Sequence, residues 1–110
     1  MSQTERIYKI EQLIACAPDG AAAHYYRSSG GAEADLLLVF PDGERWAVEV
    51  KCSLNPRPER GFHAACQDLE PGRRFVVYPG VERYPLSAQV EAVALSDLAA
   101  ELYRKGKAAQ

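Results

Sequence analysis

The sequence predicts an α/β domain built on a mixed sheet, and three observations support that prediction. Two segments rich in β-branched and aromatic residues, 35–40 and 45–52, are joined by Pro41-Asp42-Gly43. Apolar residues recur at helical spacing over residues 3–16. A helical pattern leads into the continuous apolar strand 74–78, as in a crossover into a parallel strand covered on both faces. The expected order is αβββαβ, followed by a last strand and helix.

The first element is a helix over residues 3–16. Ser2 and Glu5 have the spacing of a capping box, and Thr4 is the alternative cap. The helical stripe predicts that four side chains lie on the sheet: Ile7, Ile10, Leu13 and Ile14. The turn residues at 17–20 end this helix, and a first strand is expected at 24–28.

After the central strands the pattern predicts a helix, two strands and a final helix. The helix covers roughly residues 59–68, and the strand after it ends at a Pro-Gly turn pair, with a loop at 79–89. A last strand is expected at 90–95, and Ser96 is expected to cap a helix that reaches Lys105. The side chains predicted to face inward from this helix are Leu98, Leu102 and Tyr103.

The Pro41-Asp42-Gly43 turn predicts the register of the central hairpin. Pro41 cannot adopt the positive φ of a two-residue type I′ turn, so a three-residue loop with Gly43 in the left-handed conformation fits better. Phe40 then pairs with Glu44. Counting back along both strands places Asp35 opposite Glu49 and Glu33 opposite Lys51.

Strand alternation divides the hairpin into a charged face and an apolar face. Glu33, Asp35, Glu49 and Lys51 share one face at the end away from the turn. The opposite face is expected to be apolar and to contain Leu36, Leu38, Phe40, Trp46, Val48 and Val50. Trp46, the only tryptophan, should therefore pack away from the acids and under a helix.

Composition limits the class of protein. A chain of 110 residues with 47% apolar and 25% charged residues is expected to form one domain, residues 1–110. Its formal net charge of −2 provides no overall attraction to nucleic acid. Three widely spaced cysteines without metal-ligand spacing indicate reduced thiols, and no signal peptide or long apolar run is visible. A cytoplasmic protein without membrane contact is expected, and its oligomeric state stays open.

Two interpretations account for three carboxylates and a lysine on one sheet face. The simpler is a solvated face of a half-buried hairpin. The other is a divalent-cation site, because Mg²⁺ or Mn²⁺ takes carboxylate oxygens and completes its shell with water and phosphate oxygens. In that case Lys51 would orient a water molecule or stabilise charge on a phosphate.

Asp35, a gap of 13 residues and then Glu49-Val50-Lys51 resemble the core motif of the PD-(D/E)XK nuclease superfamily. The chain resembles more closely a domain of unknown function that follows the ATPase module of predicted prokaryotic AAA+ ATPases. The matching residues are Tyr25, Tyr26, Arg27, Glu33, Asp35, Glu49, Val50, Lys51 and Ser53. Ala34 replaces the valine usual in that domain. The resemblance covers roughly residues 5–100.

The resemblance implies a restriction-endonuclease-like fold and a set of site residues. Asp35 and Glu49 would bind Mg²⁺ or Mn²⁺, and Lys51 would complete the catalytic set. An acid on the first helix often supports the metal in that superfamily, and here it would be Glu5, with Glu11 in reserve. A solvated first-turn acid explains Glu5 equally well.

Supporting residues lie around this set. Glu33 belongs to the same predicted face, and Gln67 stands one helical turn after His63 on a helix face that could meet a substrate. Arg57 and Arg60 lie in a stiff basic loop near the proposed metal end, where they could contact nucleic acid.

Two functions stay open at the level of sequence. One is a Mg²⁺-dependent nuclease, and the other is a nuclease-fold interaction or regulatory module without catalysis. The resemblance implies an association with an ATPase, but the chain contains no GxxxxGK[ST] and is too short for such a module. Three interpretations of this stay open: a remnant of such a protein, a fragment of one, or a partner for an ATPase that is encoded separately.

Overall fold

The computed structural model describes residues 1–108 and contains one six-stranded mixed sheet with helices on both faces. The helices are α1 (Gln3–Cys16), α2 (Arg60–Leu69) and α3 (Leu95–Ala108). The strands are β1 (Ala22–Arg27), β2 (Glu33–Val39), β3 (Arg45–Val50), β4 (Arg73–Tyr78), β5 (Tyr84–Pro85) and β6 (Val90–Ala94). The predicted α/β class and αβββαβ order are thus observed. Within residues 1–108, every helix is too short or too polar to span a bilayer.

The strands lie in the order β1-β2-β3-β4-β6-β5. The first three are antiparallel neighbours, whereas β3, β4 and β6 run parallel and β5 pairs antiparallel with β6. Helix α2 connects β3 to β4, which is the crossover that parallel neighbours require.

The turn between β2 and β3 forms as its residues predict. Gly43 has a φ of +89°, and its N–H donates to the Phe40 carbonyl at 2.8 Å. The Phe40 N–H donates to the Glu44 carbonyl at 2.9 Å, so these two residues close the hairpin. Leu36 then lies opposite Val48, and the predicted register is confirmed along the paired part of the hairpin.

The larger core lies between the sheet and helices α1 and α3. Its buried side chains are Leu13, Leu36, Leu38, Phe40, Trp46, Val48, Val50, Phe75, Val77, Val93, Leu98 and Leu102. Trp46 is 3% exposed, with its ring centroid 4.9 Å from that of Phe40 and 5.4 Å from that of Phe75. The predicted apolar face of the hairpin is therefore confirmed, and Trp46 packs away from the acids.

A second, smaller core lies under α2. Its buried side chains are Ala32, Ala34, Ala47, Phe62, Ala65, Cys66, Val76 and Val90. Four of the eight are alanines, so α2 can lie close to the sheet. The start of α2 is thereby held against the ends of β2 and β3.

Several expectations about individual residues are wrong. Ile7 and Ile14 are 45% and 40% exposed, because α1 is buried mainly through Leu13 and borders a cavity along its other side. Tyr103 is 58% exposed on the outer side of α3. That helix begins at Leu95, so Ser96 lies inside its first turn instead of capping it. The expected loop at 79–89 contains β5, where the chain doubles back to pair with β6.

Replacement of Trp46 by alanine should lower the free energy of unfolding by about 3–5 kcal/mol, because it leaves a cavity inside the larger core. Urea denaturation measures the change. Tyr103→Ala is the matched control, since this exposed aromatic ring should change stability by no more than about 0.5 kcal/mol. Equal costs for both variants would contradict the described packing.

Candidate functional site

A β-bulge in β2 shapes the end of the hairpin away from the turn. His24 of β1 pairs with Leu37, but Tyr26 pairs with Ala34, so Asp35 and Leu36 together lie opposite one residue of β1. Beyond the bulge the faces of β2 exchange. Ala34 therefore belongs to the smaller core under α2, although strict alternation would place it with Leu36 in the larger one.

The pairing of β2 with β3 ends at the same point. Leu36 and Val48 are the last paired residues, and neither predicted direct pair beyond them, Asp35 with Glu49 or Glu33 with Lys51, forms. Glu33 instead lies opposite Arg27 of β1, and the Lys51 N–H donates to the Val77 carbonyl of β4. The two strands separate and leave a gap at the charged end of the hairpin.

The Asp35 carboxylate fills part of this gap. Its Oδ2 atom accepts a hydrogen bond from the buried Val50 N–H at 2.8 Å, in place of a main-chain acceptor on β2. The same oxygen accepts a hydrogen bond from Nη1 of Arg6 on α1, also at 2.8 Å. Within the described residues, both hydrogen bonds of this carboxylate fall on Oδ2, which leaves Oδ1 without a protein donor.

Glu49 is buried, at 6% exposure, and has weaker partners. Its two carboxylate oxygens share the Glu59 N–H at the start of α2, at 3.2 and 3.3 Å. Burial raises the pKa of Glu49 from an ordinary 4.5 to about 7. The Glu59 amide and the Lys51 charge lower that pKa, while the Asp35 charge adds to the rise, so the two carboxylates interact. Glu49 is thus a buried carboxyl group that lacks a full counter-charge.

Lys51 does not provide that counter-charge through direct contact. Its ammonium group forms an ion pair with Glu59, and the hydrogen bond lowers the pKa of the exposed Glu59 carboxyl group. Glu59 therefore has two roles at the site: its backbone N–H contacts Glu49 and its side chain holds Lys51.

A cavity of about 780 Å³ joins these groups. It lies between α1 and the start of α2, at the end of the sheet where β2 and β3 separate. Its charged and polar wall contains Arg6, Glu33, Asp35, Glu49, Lys51 and Glu59. Its apolar wall contains Ile7, Ile10, Ile14 and Ala23. The four residues that the sequence placed on one sheet face line one cavity. The predicted shared face is wrong for Glu33, because the faces of β2 exchange beyond the bulge.

Other residues singled out in the sequence lie elsewhere. Glu5 is exposed and outside the cavity wall, where it hydrogen-bonds the Ser2 cap, so α1 does not bring it to Asp35. Gln67 is exposed on α2 and also outside the wall. Arg57 and Arg60 are exposed on either side of Glu59, which does line the cavity. Glu33 lies in the wall and accepts a hydrogen bond from the Tyr25 hydroxyl at 2.8 Å.

Sequence reasoning missed Arg6 and Glu59. Arg6 precedes Ile10 by four residues and Leu13 by seven, so it is a charge on the apolar stripe of α1, and this was a detectable signal. Glu5 lies off that stripe. Glu59 carried no comparable signal, because its contacts with Glu49 and Lys51 depend on the path of the loop before α2.

The oxygen ligands present fit a hard divalent cation that needs only one or two ligands from the protein. Within residues 1–108, no three His, Cys, Asp or Glu side chains are gathered as a metal cluster. Mg²⁺, however, usually takes only one or two carboxylates from a protein and keeps several waters. Asp35 has a carboxylate oxygen without a protein donor, and the Glu49 carboxylate lacks a full counter-charge. Both line the cavity of about 780 Å³.

Comparison with known proteins finds relatives of this chain. The sequence model of a family described as a domain of unknown function, DUF4143, matches residues 8–98. Two uncharacterized proteins, Mb2031c of Mycobacterium bovis and Rv2008c of Mycobacterium tuberculosis, are each 37% identical over 87 residues. The match covers 78% of this chain and 19% of each relative, so the chain spans about one fifth of the length of these relatives. No solved structure matches it.

The raised pKa of Glu49 predicts that stability falls as the pH rises towards and through 7. The folded protein keeps this proton between about pH 4.5 and 7, whereas the unfolded chain loses it near 4.5. The stabilisation is complete below about pH 4.5 and is lost above 7, and it amounts to about 3 kcal/mol. Urea unfolding in EDTA from pH 4.5 to 8.5 measures it as the difference between the wild type and Glu49→Gln.

That difference should grow with pH because glutamine has no such proton to lose. Glu11→Gln, at an exposed position on α1, is the control and should reproduce the wild-type profile. A difference between the wild type and Glu49→Gln that does not change with pH would show that Glu49 titrates normally.

Gly61 lets the start of α2 approach the turn that precedes β2. A Cβ atom at Gly61 would lie 2.6 Å from the Gly31 carbonyl oxygen, which is backbone and cannot rotate away. Gly61→Ala should therefore lower the melting temperature, although alanine is favoured over glycine inside a helix by about 1 kcal/mol. Gly106→Ala in α3 is the control, because its Cβ meets Pro18 at 3.4–3.6 Å, and it should be neutral or stabilising. Equal stabilisation of both variants would rule out the close approach of α2.

Proposed function

The chain belongs to the DUF4143 family, and from this membership and the geometry of the acidic cavity we propose that it is a Mg²⁺-dependent nuclease-like domain that hydrolyses phosphodiesters. The observation that supports the proposal most is the pair of buried carboxylates, Asp35 and Glu49, on the wall of one cavity with Lys51. Burying an under-compensated carboxylate costs folding energy. Such a group in a cavity is a candidate for function.

Each residue has a role in this proposal. Asp35 and Glu49 would bind Mg²⁺ or Mn²⁺, which supplies charge stabilisation to a phosphoryl group and acidifies a water molecule. Glu59 keeps the Lys51 ammonium group at the cavity wall. From there Lys51 would stabilise negative charge that develops on the phosphate. Neither Glu5 nor Gln67 is given a role, because both lie outside the wall.

Nucleic acid is the proposed substrate class, with DNA and RNA both open. The formal net charge of −2 means that attraction must come from local groups. Arg57 and Arg60 are the nearest candidates, because they are exposed beside Glu59 and form no ion pair within the described residues. Their contacts with backbone phosphates would position a strand without reading its sequence.

The alternative is an interaction or regulatory module on the PD-(D/E)XK nuclease fold. The observation that favours it is the Arg6–Asp35 ion pair, because it already gives one of the two carboxylates a positive partner. In this alternative the cavity, with its apolar wall, would receive part of a protein partner. The resemblance to domains that follow AAA+ ATPase modules makes an ATPase the proposed partner for either function.

Mg²⁺ or Mn²⁺ at ten times its dissociation constant should stabilise the wild type by about 1.4 kcal/mol, which raises the melting temperature by roughly 5–10 °C. Asp35→Asn and Glu49→Gln should abolish this rise, and Glu11→Gln should keep it. Thermal melts in MgCl₂, compared with NaCl of matched ionic strength, measure the effect. If MgCl₂ has no larger effect than NaCl, the alternative function replaces the nuclease.

Lys51→Ala separates metal binding from chemistry. This variant should keep the Mg²⁺-dependent rise in melting temperature and lose cleavage of single- and double-stranded DNA and RNA, because the ammonium group acts on the substrate. Arg104→Ala, which removes an exposed positive charge from α3, is the control and should leave cleavage unchanged. Cleavage that persists in Lys51→Ala would remove the assigned role of this lysine.

A further inference from the structure

Arg6 is a positive charge that the fold directs into the proposed metal site. It is half-buried, and its Nη1 donates to two oxygen atoms, Oδ2 of Asp35 at 2.8 Å and the Val50 carbonyl at 2.9 Å. The first contact joins residues 29 apart in the chain, and the second joins residues 44 apart. A single guanidinium nitrogen thus sits between two oxygens at the gap between β2 and β3.

The surroundings of α1 show that this is more than a surface ion pair. Arg6 lies on the apolar stripe with Ile10 and Leu13, whereas Ile7 beside it remains 45% exposed. After the cap residue Ser2, the hydrogen bonds of Arg6 therefore hold the N-terminal half of α1 on the sheet. The helix is buried mainly through its C-terminal half, where Leu13 is completely buried.

We propose that Arg6 is an internal counterion that competes with a divalent cation for Asp35, so that metal binding releases Arg6 and loosens the start of α1. This inference rests on the proposed function, because it assigns a control element to the same metal site. It accounts for how the Asp35 carboxylate is buried at 9% exposure, with a positive partner on Oδ2.

Charge repulsion makes Arg6 and a divalent cation compete for Asp35. A divalent ion on Asp35 and a guanidinium group bonded to the same carboxylate would lie within a few ångströms of each other. At about 5 Å, even with the screening of water, the repulsion between charges of +2 and +1 corresponds to about a tenfold change in affinity. Arg6 would then weaken cation binding by at least that factor, and once released it could bind a phosphate group of the substrate.

The test is a Mn²⁺ titration of the metal-free protein at pH 8, with free Mn²⁺ measured by electron paramagnetic resonance. Arg6→Met should bind Mn²⁺ about tenfold more tightly than the wild type, because it removes the competing charge and keeps an unbranched side chain. Arg6→Lys should remain closer to the wild type. Lys9→Met removes the same charge from α1 at a position outside the cavity wall and should change the dissociation constant less than twofold.

A second measurement uses the wild type alone and does not depend on the folding of a variant. Titration with the diamagnetic ion Mg²⁺ should shift the Arg6 side-chain Nε signal in ¹⁵N NMR spectra at the concentration that saturates the site. The signal of Arg45, whose guanidinium group donates to the Leu69 carbonyl, is the internal control and should not move.

The outcomes separate this inference from the proposed function. Mn²⁺ binding that Arg6→Met leaves unchanged or weakens would overturn the counterion role and leave the metal site standing. The absence of Mn²⁺ binding in the wild type and in every variant would overturn both. Mn²⁺ binding that appears only in Arg6→Met would show that Arg6 blocks the cation completely, which supports the counterion role. It would also argue against a nuclease that works with Arg6 in place.

Discussion

The hydrogen bond from the Val50 N–H to the Asp35 carboxylate is the interaction on which the site depends. A buried backbone N–H must find an acceptor, and here β2 bends away before its main chain can supply one. The bulge at Asp35 and Leu36 places the Oδ2 atom of Asp35 where it serves as that acceptor. Because the ladder ends in this way, the two strands can separate and a cavity can form between α1 and α2 without leaving Val50 unpaired.

The negative charges of the two buried carboxylates are compensated to different degrees. Asp35 has a guanidinium group and a backbone N–H on one oxygen, so its charge is balanced inside the protein. Glu49 has only a shared backbone N–H, and burial raises its pKa to about 7. Two acids whose environments differ this strongly, at one cavity, are typical of functional sites. The asymmetry arises because Arg6 of α1 reaches Asp35, whereas Lys51, the cation nearest to Glu49 in the chain, is held by Glu59.

The nuclease and the interaction module differ in what balances these charges. In the proposed nuclease a cation would bind the two carboxylates and Lys51 would face the substrate. In the proposed interaction module Arg6 would stay on Asp35 and the apolar wall of the cavity would contact a partner. Because the chain spans about one fifth of the curated relatives, either function would operate beside further sequence in those proteins.

The sequence by itself determined the order of the helices and of the strands other than β5, the register of the paired part of the hairpin and the burial of Trp46, because these follow from local backbone chemistry and side-chain alternation. It also identified Asp35, Glu49 and Lys51 as one group. The tertiary structure alone decided the bulge, the contact of Arg6 with Asp35, and the pairing of Lys51 with Glu59. These features depend on contacts between distant or separately placed segments, whose relative positions are set by packing and not by any local pattern of residues.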